Sequence, residues 1–322
     1  MNFTTCGAGP AVEGYCLIKS VDKKITSKGV PFLDMVLADS SDEVVAKLWD
    51  YKESPNNTYN VSDLVKVRGT MVPFNDTMQF RVERIRHVTE ADGVRIEDYV
   101  PSAELDGQTM FDIILGIVDG FKDENLKKLV NCVMEKYKEK LLFWPAALKL
   151  HHAVRCGLLY HTLSIIRLAQ SVAKIYSAID SDLLIAGAIL HDVAKTAEIK
   201  VSSAGVATDY SVEGNLLGHL VMGAIEISHI GRENDIDENT LMLVEHMLIS
   251  HHGDPEFGAA VRPMFLEAEV LSELDMLDSR IYEITHAVGE VDEGEFTPRQ
   301  WALDNRKLYN HGRNGSNDIN LK

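Results

Sequence analysis

Nine of the chain's 12 histidines fall between residues 151 and 252, a span where an even spread would give about four. Their neighbours matter more than their number. His161 lies on the Leu158–Ile165–Leu168–Val172 stripe, so a helix there turns it inward. His191 shares a stripe with Leu184, Gly187 and Ala188, is followed directly by Asp192, and has Lys195 one turn further on. His219 sits in "LLGHLVMGAIEI", and His251 and His252 close a helix in "LISHHGDPE". Asp275 follows Leu271 by four residues and precedes Asp278 by three. A buried polar group without a partner costs roughly 2–7 kcal/mol. Imidazoles and carboxylates on separate core-facing helices avoid that cost by holding a metal ion. Such a nitrogen and oxygen donor set suits Mn, Fe, Zn, Co or Ni better than Ca or a thiolate-selective metal. Hydrolysis at the ion would need open positions for water and substrate. His151 and His152 are candidates for supporting or substrate-facing groups. His246 is helical and close in sequence, while His87, His229, His286 and His311 belong to no pattern.

Positioning these groups requires a helical domain, and the hydrophobic period supplies one. Past Pro101 the pattern is helical nearly to the end, with helices expected at about 109–119, 123–141, 157–177, 182–195, 216–230, 238–250 and 264–288. From about residue 11 to 90 the period is two. "PFLDMVLAD", "VVAKLWD", "LVKVRGTMV" and "QFRVERI" alternate and are separated by the turn-rich "TSKG", "ADSSDE", "SPNNTYN" and "FNDT". Five short strands in so few residues predict a small antiparallel barrel, of which the OB type is one solution. The expected fold class is therefore α+β in two domains, an N-terminal barrel over 1–90 and an all-α bundle over 109–312. A linker, 91–108, joins them, and a polar, frayed tail covers 313–322. On the barrel, Phe32, Lys47 and Trp49 alternate with core residues and point away from the core. Aromatic rings interleaved with a cation are what sequence-tolerant binding of single strands uses.

Bulk composition narrows the function classes. The four cysteines are scattered without a CxxC pair, which argues against a disulfide framework or a cysteine-rich zinc site. No apolar run reaches membrane-spanning length, and the first residues lack the features of a signal peptide, so a cytoplasmic protein without membrane partners is expected. A net charge of −17 weighs against nucleic acid, but residues 1–90 carry 11 basic against 12 acidic residues. Nearly all the excess lies in the helical part, where bound cations would offset it.

The ordered set His161, His191-Asp192, Asp275, with its HDxxK form His191-Asp192-Val193-Ala194-Lys195, resembles the HD superfamily of metal-dependent phosphohydrolases. The stretches "YCLIKSVDKKITSKGVPFLDMVLADSSDEVVAKLWD", "WPAALKLHHAVRCGLLYHTLSI", "ISHHGDPEFGAAVRP" and "EFTPRQWALDNRKLY" extend the likeness. Over about residues 11–310 they resemble YhaM-type 3′→5′ exoribonucleases, an OB-fold fused to an HD domain. This resemblance implies that His161, His191, Asp192 and Asp275 are the core metal ligands. It places His219, His251 and His252 where some HD enzymes complete a second site. It further implies Mn²⁺ as the ion (with Fe, Co, Ni or Zn able to occupy purified protein), one or two ions per site, and single-stranded RNA or DNA as substrate. For such a reaction Asp192 and Lys195 are the expected catalytic residues, Lys195 being placed by its spacing, one helical turn from His191, to hold a non-bridging phosphate oxygen, and the expected product is a nucleoside 5′-monophosphate. Cys156 departs from the family's Gly-Gly before Leu158. Two other functions fit an HD set: a nucleotidase or cyclic-nucleotide phosphodiesterase, and a non-catalytic OB-fold RNA-binding protein. The barrel disfavours the first and the complete ligand set disfavours the second. Homo-oligomers are compatible with the long helices.

Overall fold

The structure, a computed structural model, describes residues 9, 11–39, 42–55, 57–74, 77–148, 152–313 and 321. It divides into two compact units, residues 1–102 with 201–208, and 103–200 with 209–322.

The first unit is a closed five-stranded barrel. Strands β1 (Val12–Ile25), β2 (Pro31–Ala38), β3 (Glu43–Trp49), β4 (Leu64–Phe74) and β5 (Thr77–His87) close in the order β1-β2-β3-β5-β4. The expected OB-type barrel is thus present. Its closing pair, β3 with β5, is parallel and the other pairs are antiparallel. Alternation builds the interior: Leu33, Met35 and Leu37 from β2 meet Val65 and Val67 from β4 and Phe80 and Val82 from β5. A smaller apolar cluster joins Leu17 and Val100 to Ala204, the last from the hairpin turn described below.

The second unit is helical: α1 (Gly107–Val118), α2 (Glu124–Leu141), α3 (Gly157–Ile175), α4 (Ser181–Leu190), α5 (Lys195–Glu198), α6 (Val212–Glu233), α7 (Glu238–Ser250) and α8 (Leu266–Gly289). Asp106, Asp123, Asp180, Ser211 and Asp237 cap the first turns of α1, α2, α4, α6 and α7 by accepting backbone N–H groups. Such caps contribute about 0.5–2 kcal/mol each. At the centre lies α4, buried from Leu183 to Leu190. Gly187 admits α7 and α8 closely, since a Cβ there would meet Met247 Cε at 2.2 Å and Leu271 Cδ2 at 3.3 Å.

Three departures from the sequence pattern shape the site. The helix expected over 182–195 stops at Leu190, and three-residue turns closed by Leu190 O and Asp192 O carry the chain into α5. A hairpin of β6 (Ile199–Val201) and β7 (Ala207–Tyr210) interrupts the helical region. Strands of three and four residues are too short for an alternating pattern to register. Finally, α6 is broken at Gly218, whose φ of 71° and ψ of 158° are not helical.

Candidate metal centre

Each candidate ligand sits where its element ends, bends or faces the core. His161 is in the second turn of α3, and Cys156 enters that helix with a left-handed φ of 62°. Only glycine takes such a conformation without cost, which explains why a glycine suits this position. His191 caps the C-terminus of α4, and Asp192 begins the turn after it. His219 follows the Gly218 break, while His251 caps α7. Asp275 and Asp278 share one face of α8.

These residues converge on Asp192. Its Oδ2 lies 3.3 Å from His191 Nε2 and 3.7 Å from His161 Nε2. Its Oδ1 lies 3.3 Å from His219 Nε2 and 3.7 Å from His251 Nε2. Asp275 Oδ1 is 3.1 Å from His161 Nε2. Donor atoms within 4.8 Å of one another form the groups His161–His191–Asp192, His191–His251–Asp275 and His219–His251–His252. The two carboxylate oxygens of Asp192 thus face two sets of imidazoles.

Every imidazole is oriented through its other nitrogen. His191 Nδ1 donates to Ala188 O at 2.9 Å, His251 Nδ1 to Leu248 O at 2.8 Å and His252 Nδ1 to Phe257 O at 2.9 Å. His161 Nδ1 donates to Asp278 Oδ2 at 2.7 Å, and His219 Nδ1 to Glu198 Oε1 at 3.0 Å. A carbonyl or carboxylate can only accept, so the proton is fixed on Nδ1 and the Nε2 lone pair is turned inward. Among the described residues, Nε2 of His191, His219 and His251 and Oδ1 of Asp192 are buried without a hydrogen-bond partner. Four such atoms aimed at one another would be costly. A cation between them removes the cost, so the donor set fits a divalent metal.

The electrostatics agree with that fit. Burial favours the neutral acid for Asp192, but His191 and Lys195 outweigh it and hold the carboxyl well below its ordinary range. Asp275 is likewise held low against burial, chiefly by His161. Burial, then the neighbouring His191 and His252, keeps His251 neutral as a ligand must be. His161 is the exception: burial disfavours its cation, yet Asp275 and Asp278 raise its pKa to about 10. A metal held at Nε2 would take the place of that proton.

Several supporting groups were not identified from sequence. Asp278 accepts from His152 Nε2 at 3.0 Å, from His161 Nδ1 at 2.7 Å and from the Ser164 hydroxyl. Asp278 and Ser164 follow Asp275 and His161 by three residues, a spacing that could have flagged both. Glu198 Oε1 accepts both the backbone N–H and Nδ1 of His219, each at 3.0 Å. His152 is fully buried beside these groups, while His151 lies outside the described residues. Lys195 donates to Asp192 Oδ2 at 2.6 Å. It also lines a cavity of about 490 Å³ together with His219, His251, His252 and Asp275. Arg280, Phe257, Tyr210 and Trp301 line the same cavity, the last 75% exposed. His87, His229, His246, His286 and His311 belong to none of the metal-holding groups.

On the barrel, Phe32 and Trp49 stack at 4.6 Å between ring centroids, and Lys47 Nζ lies 5.2 Å and 5.7 Å from the two rings. Phe32, expected to point away from the core, is instead buried at 8% exposure with Trp49 stacked on it, although it is not among the residues of the barrel's interior cluster. The accessible part of this platform is Trp49, at 38% exposure, with Lys47.

The HD domain model matches residues 158–280, from just before His161 to just past Asp278. The 3′-5′ exoribonuclease YhaM of Bacillus licheniformis is 40% identical over 301 residues, covering 94% of this chain and 95% of its own. That of Bacillus subtilis is 38% identical over the same shares, and that of Listeria monocytogenes 37% identical over 94% and 96%. The chain belongs to the YhaM family of exoribonucleases. It is accordingly a hydrolase of phosphodiester bonds, and the resemblance seen in the sequence is borne out over nearly the whole chain. A chain from a replication protein A heterotrimer bound to ssDNA aligns over 26% of this chain and 61% of its own, with a TM-score of 0.20 and 17% identity. That likeness is too slight to bear on function. Among the described residues, no helix is long and apolar enough to cross a membrane.

Proposed function

We propose that the chain is a divalent-metal-dependent 3′→5′ exoribonuclease that removes nucleoside 5′-monophosphates from single-stranded RNA, and accepts single-stranded DNA. The observation carrying this reading is Asp192 between two sets of inward-facing Nε2 atoms, inside a chain that aligns over 94% of its length with a YhaM exoribonuclease. His161, His191, Asp192 and Asp275 hold one ion, with His219, His251 and His252 beside Asp192 for a second. The nitrogen and oxygen donors suit Mn²⁺, with Fe, Co, Ni and Zn as competitors. A divalent ion supplies Lewis acidity toward a phosphoryl oxygen and lowers the pKa of water.

The chain's own groups do the remaining work. Asp278 and Glu198 keep the protons of His161 and His219 on Nδ1. Lys195 holds Asp192 Oδ2 and presents positive charge to the cavity, where it meets a non-bridging phosphate oxygen. Arg280 adds a second cation on the cavity wall, and Trp301, Phe257 and Tyr210 offer ring faces to the terminal base. Water oxygen adds to phosphorus, the bond from phosphorus to the 3′ oxygen breaks, and a proton restores a 3′ hydroxyl on the shortened chain. The Trp49–Phe32–Lys47 platform supplies a stacking contact for single strands.

The test is product analysis with Mn²⁺ and a 5′-labelled single-stranded RNA, alongside metal stoichiometry. A ladder shortening from the 3′ end is expected, and Asp192→Ala should lose bound metal and turnover while keeping RNA binding. Full turnover by that variant, or activity confined to mononucleotides or cyclic nucleotides, overturns the proposal.

A further inference from the structure

The outer face of β4 and β5 carries a cation ladder that the stacking platform does not use. Lys66 pairs with Arg86 across the two strands, and Arg68 pairs with Arg84 directly opposite. Both pairings lie in one unbroken register, which ends at a slip between Arg68 and Gly69 that passes over Glu83. Only glycine fits at that bulge, since a Cβ on Gly69 would lie 2.2 Å from Arg81 O. Bulges of this kind re-aim side chains and recur beside functional sites.

Like charges placed directly opposite on a sheet are destabilising, and of the nearby carboxylates Glu13 attracts Arg68 only through space, without a direct ion pair. Glu13 stands across from Arg68 on β1 but gives its carboxylate to Lys66 at 2.8 Å. Asp92 receives both terminal nitrogens of Arg86, at 2.6 and 2.7 Å. Neither Arg68 nor Arg84 makes an ion pair or side-chain hydrogen bond among the described residues, and both are exposed. They line a groove of about 600 Å³ that also takes in Trp49 and Tyr51. Its charged lining is five cations against three carboxylates, on a chain of net charge −17. Two opposed guanidiniums in a groove with an aromatic edge match successive phosphates of a strand whose base stacks nearby.

We propose that Arg68 and Arg84 form a phosphate-backbone site for single-stranded RNA, extending the contact beyond the Trp49 platform. The inference rests on the proposed RNA substrate but not on the metal centre. Binding of a labelled single-stranded RNA to the full chain is measured in EDTA, which stops turnover, over a range of salt concentrations. Each lost phosphate contact should lower the slope of log affinity against log salt by about 0.7, so Arg68→Gln/Arg84→Gln should lower it by about 1.4. Its melting temperature should hold or rise, because a like-charge pair is removed. Trp49→Ala should weaken binding with the slope kept. An unchanged slope in the double glutamine variant overturns the proposal. Should that variant melt early, the single variants Arg68→Gln and Arg84→Gln decide: a slope lowered by about 0.7 in each supports the phosphate site, and an unchanged slope in both overturns it. Turnover of a dinucleotide with Mn²⁺ reports the metal centre alone, so its absence in the wild type would count against the exoribonuclease and leave the salt slope standing.

Discussion

Asp278 offers the most informative perturbation, because it touches His161 rather than an ion. Burial favours its neutral acid, but the hydrogen bonds from His152 and His161 outweigh that and hold the carboxyl far below the ordinary carboxylate range. Asp278→Asn can keep all three hydrogen bonds. The amide oxygen takes the place of Oδ2 and accepts from both imidazoles, while the amide nitrogen donates to Ser164, whose hydroxyl rotates to accept. What disappears is the charge. A hydrogen bond to a charged group contributes about 1.5–3 kcal/mol and a neutral one about 0.5–1.5, so two imidazole bonds lose about 2–3 kcal/mol between them. The share acting through His161 weakens its Nε2 as a donor, and altered support of this kind costs about 10–100-fold in metal affinity. Calorimetric titration of Mn²⁺ into EDTA-stripped protein measures that loss directly. Asp278→Ala is the control: it strands three donors in the core, at about 1–3 kcal/mol each, and should fold poorly. If Asp278→Asn loads Mn²⁺ as tightly as the wild type, the charge of Asp278 does not tune His161 and the reasoning fails.

Two further outcomes follow from the same geometry. The folded pKa of His161, about 10 through Asp275 and Asp278 against burial, lies above its ordinary value of 6.5. Its contribution to metal-free stability is therefore full below about pH 6.5 and lost as pH rises through 10. A metal must displace the same proton, so Mn²⁺ affinity should fall roughly tenfold per pH unit as pH drops within that window. Titrations in buffers of different ionisation enthalpy would count the released proton, and a flat affinity profile would contradict the assignment. Gly157→Ala should cost about 1–3 kcal/mol, since its Cβ would stand 2.0 Å from His152 O and push His152 off Asp278. Thermal melting checks this, and an unchanged midpoint would mean the two segments are not so close.

How much of this was legible depends on where each contact originates. The barrel's alternation and the stripes carrying His161 and His191 are local, and both survive into the structure. The opposed pair of Arg68 and Arg84 is not local, because it depends on the register of one strand against another. The β6–β7 hairpin and the break at Gly218 were missed because one is too short and the other is a single residue in an otherwise helical pattern.

The histidines themselves divide along this line, and for a physical reason. The last carbonyls of a helix have no intrahelical partner. His191 and His251 cap α4 and α7, so each turns Nδ1 back onto a carbonyl three residues earlier in its own final turn. A histidine that ends a buried helix is thereby fixed in the metal-binding tautomer by its own helix, which a sequence can display. His161 lies near the start of α3 and His219 just after a break, where no final-turn carbonyl is at hand. They borrow carboxylates instead, Asp278 from 117 residues away and Glu198 from 21. These anionic anchors raise ligand basicity in a way that a backbone carbonyl does not. Asp192 therefore stands between two kinds of imidazole on each side: His161 and His219 with carboxylate support, and His191 and His251 with carbonyl support. Each half of the candidate centre combines one locally fixed candidate ligand with one tuned from a distance, so substitutions at Asp278 and Glu198 should weaken metal binding at different halves.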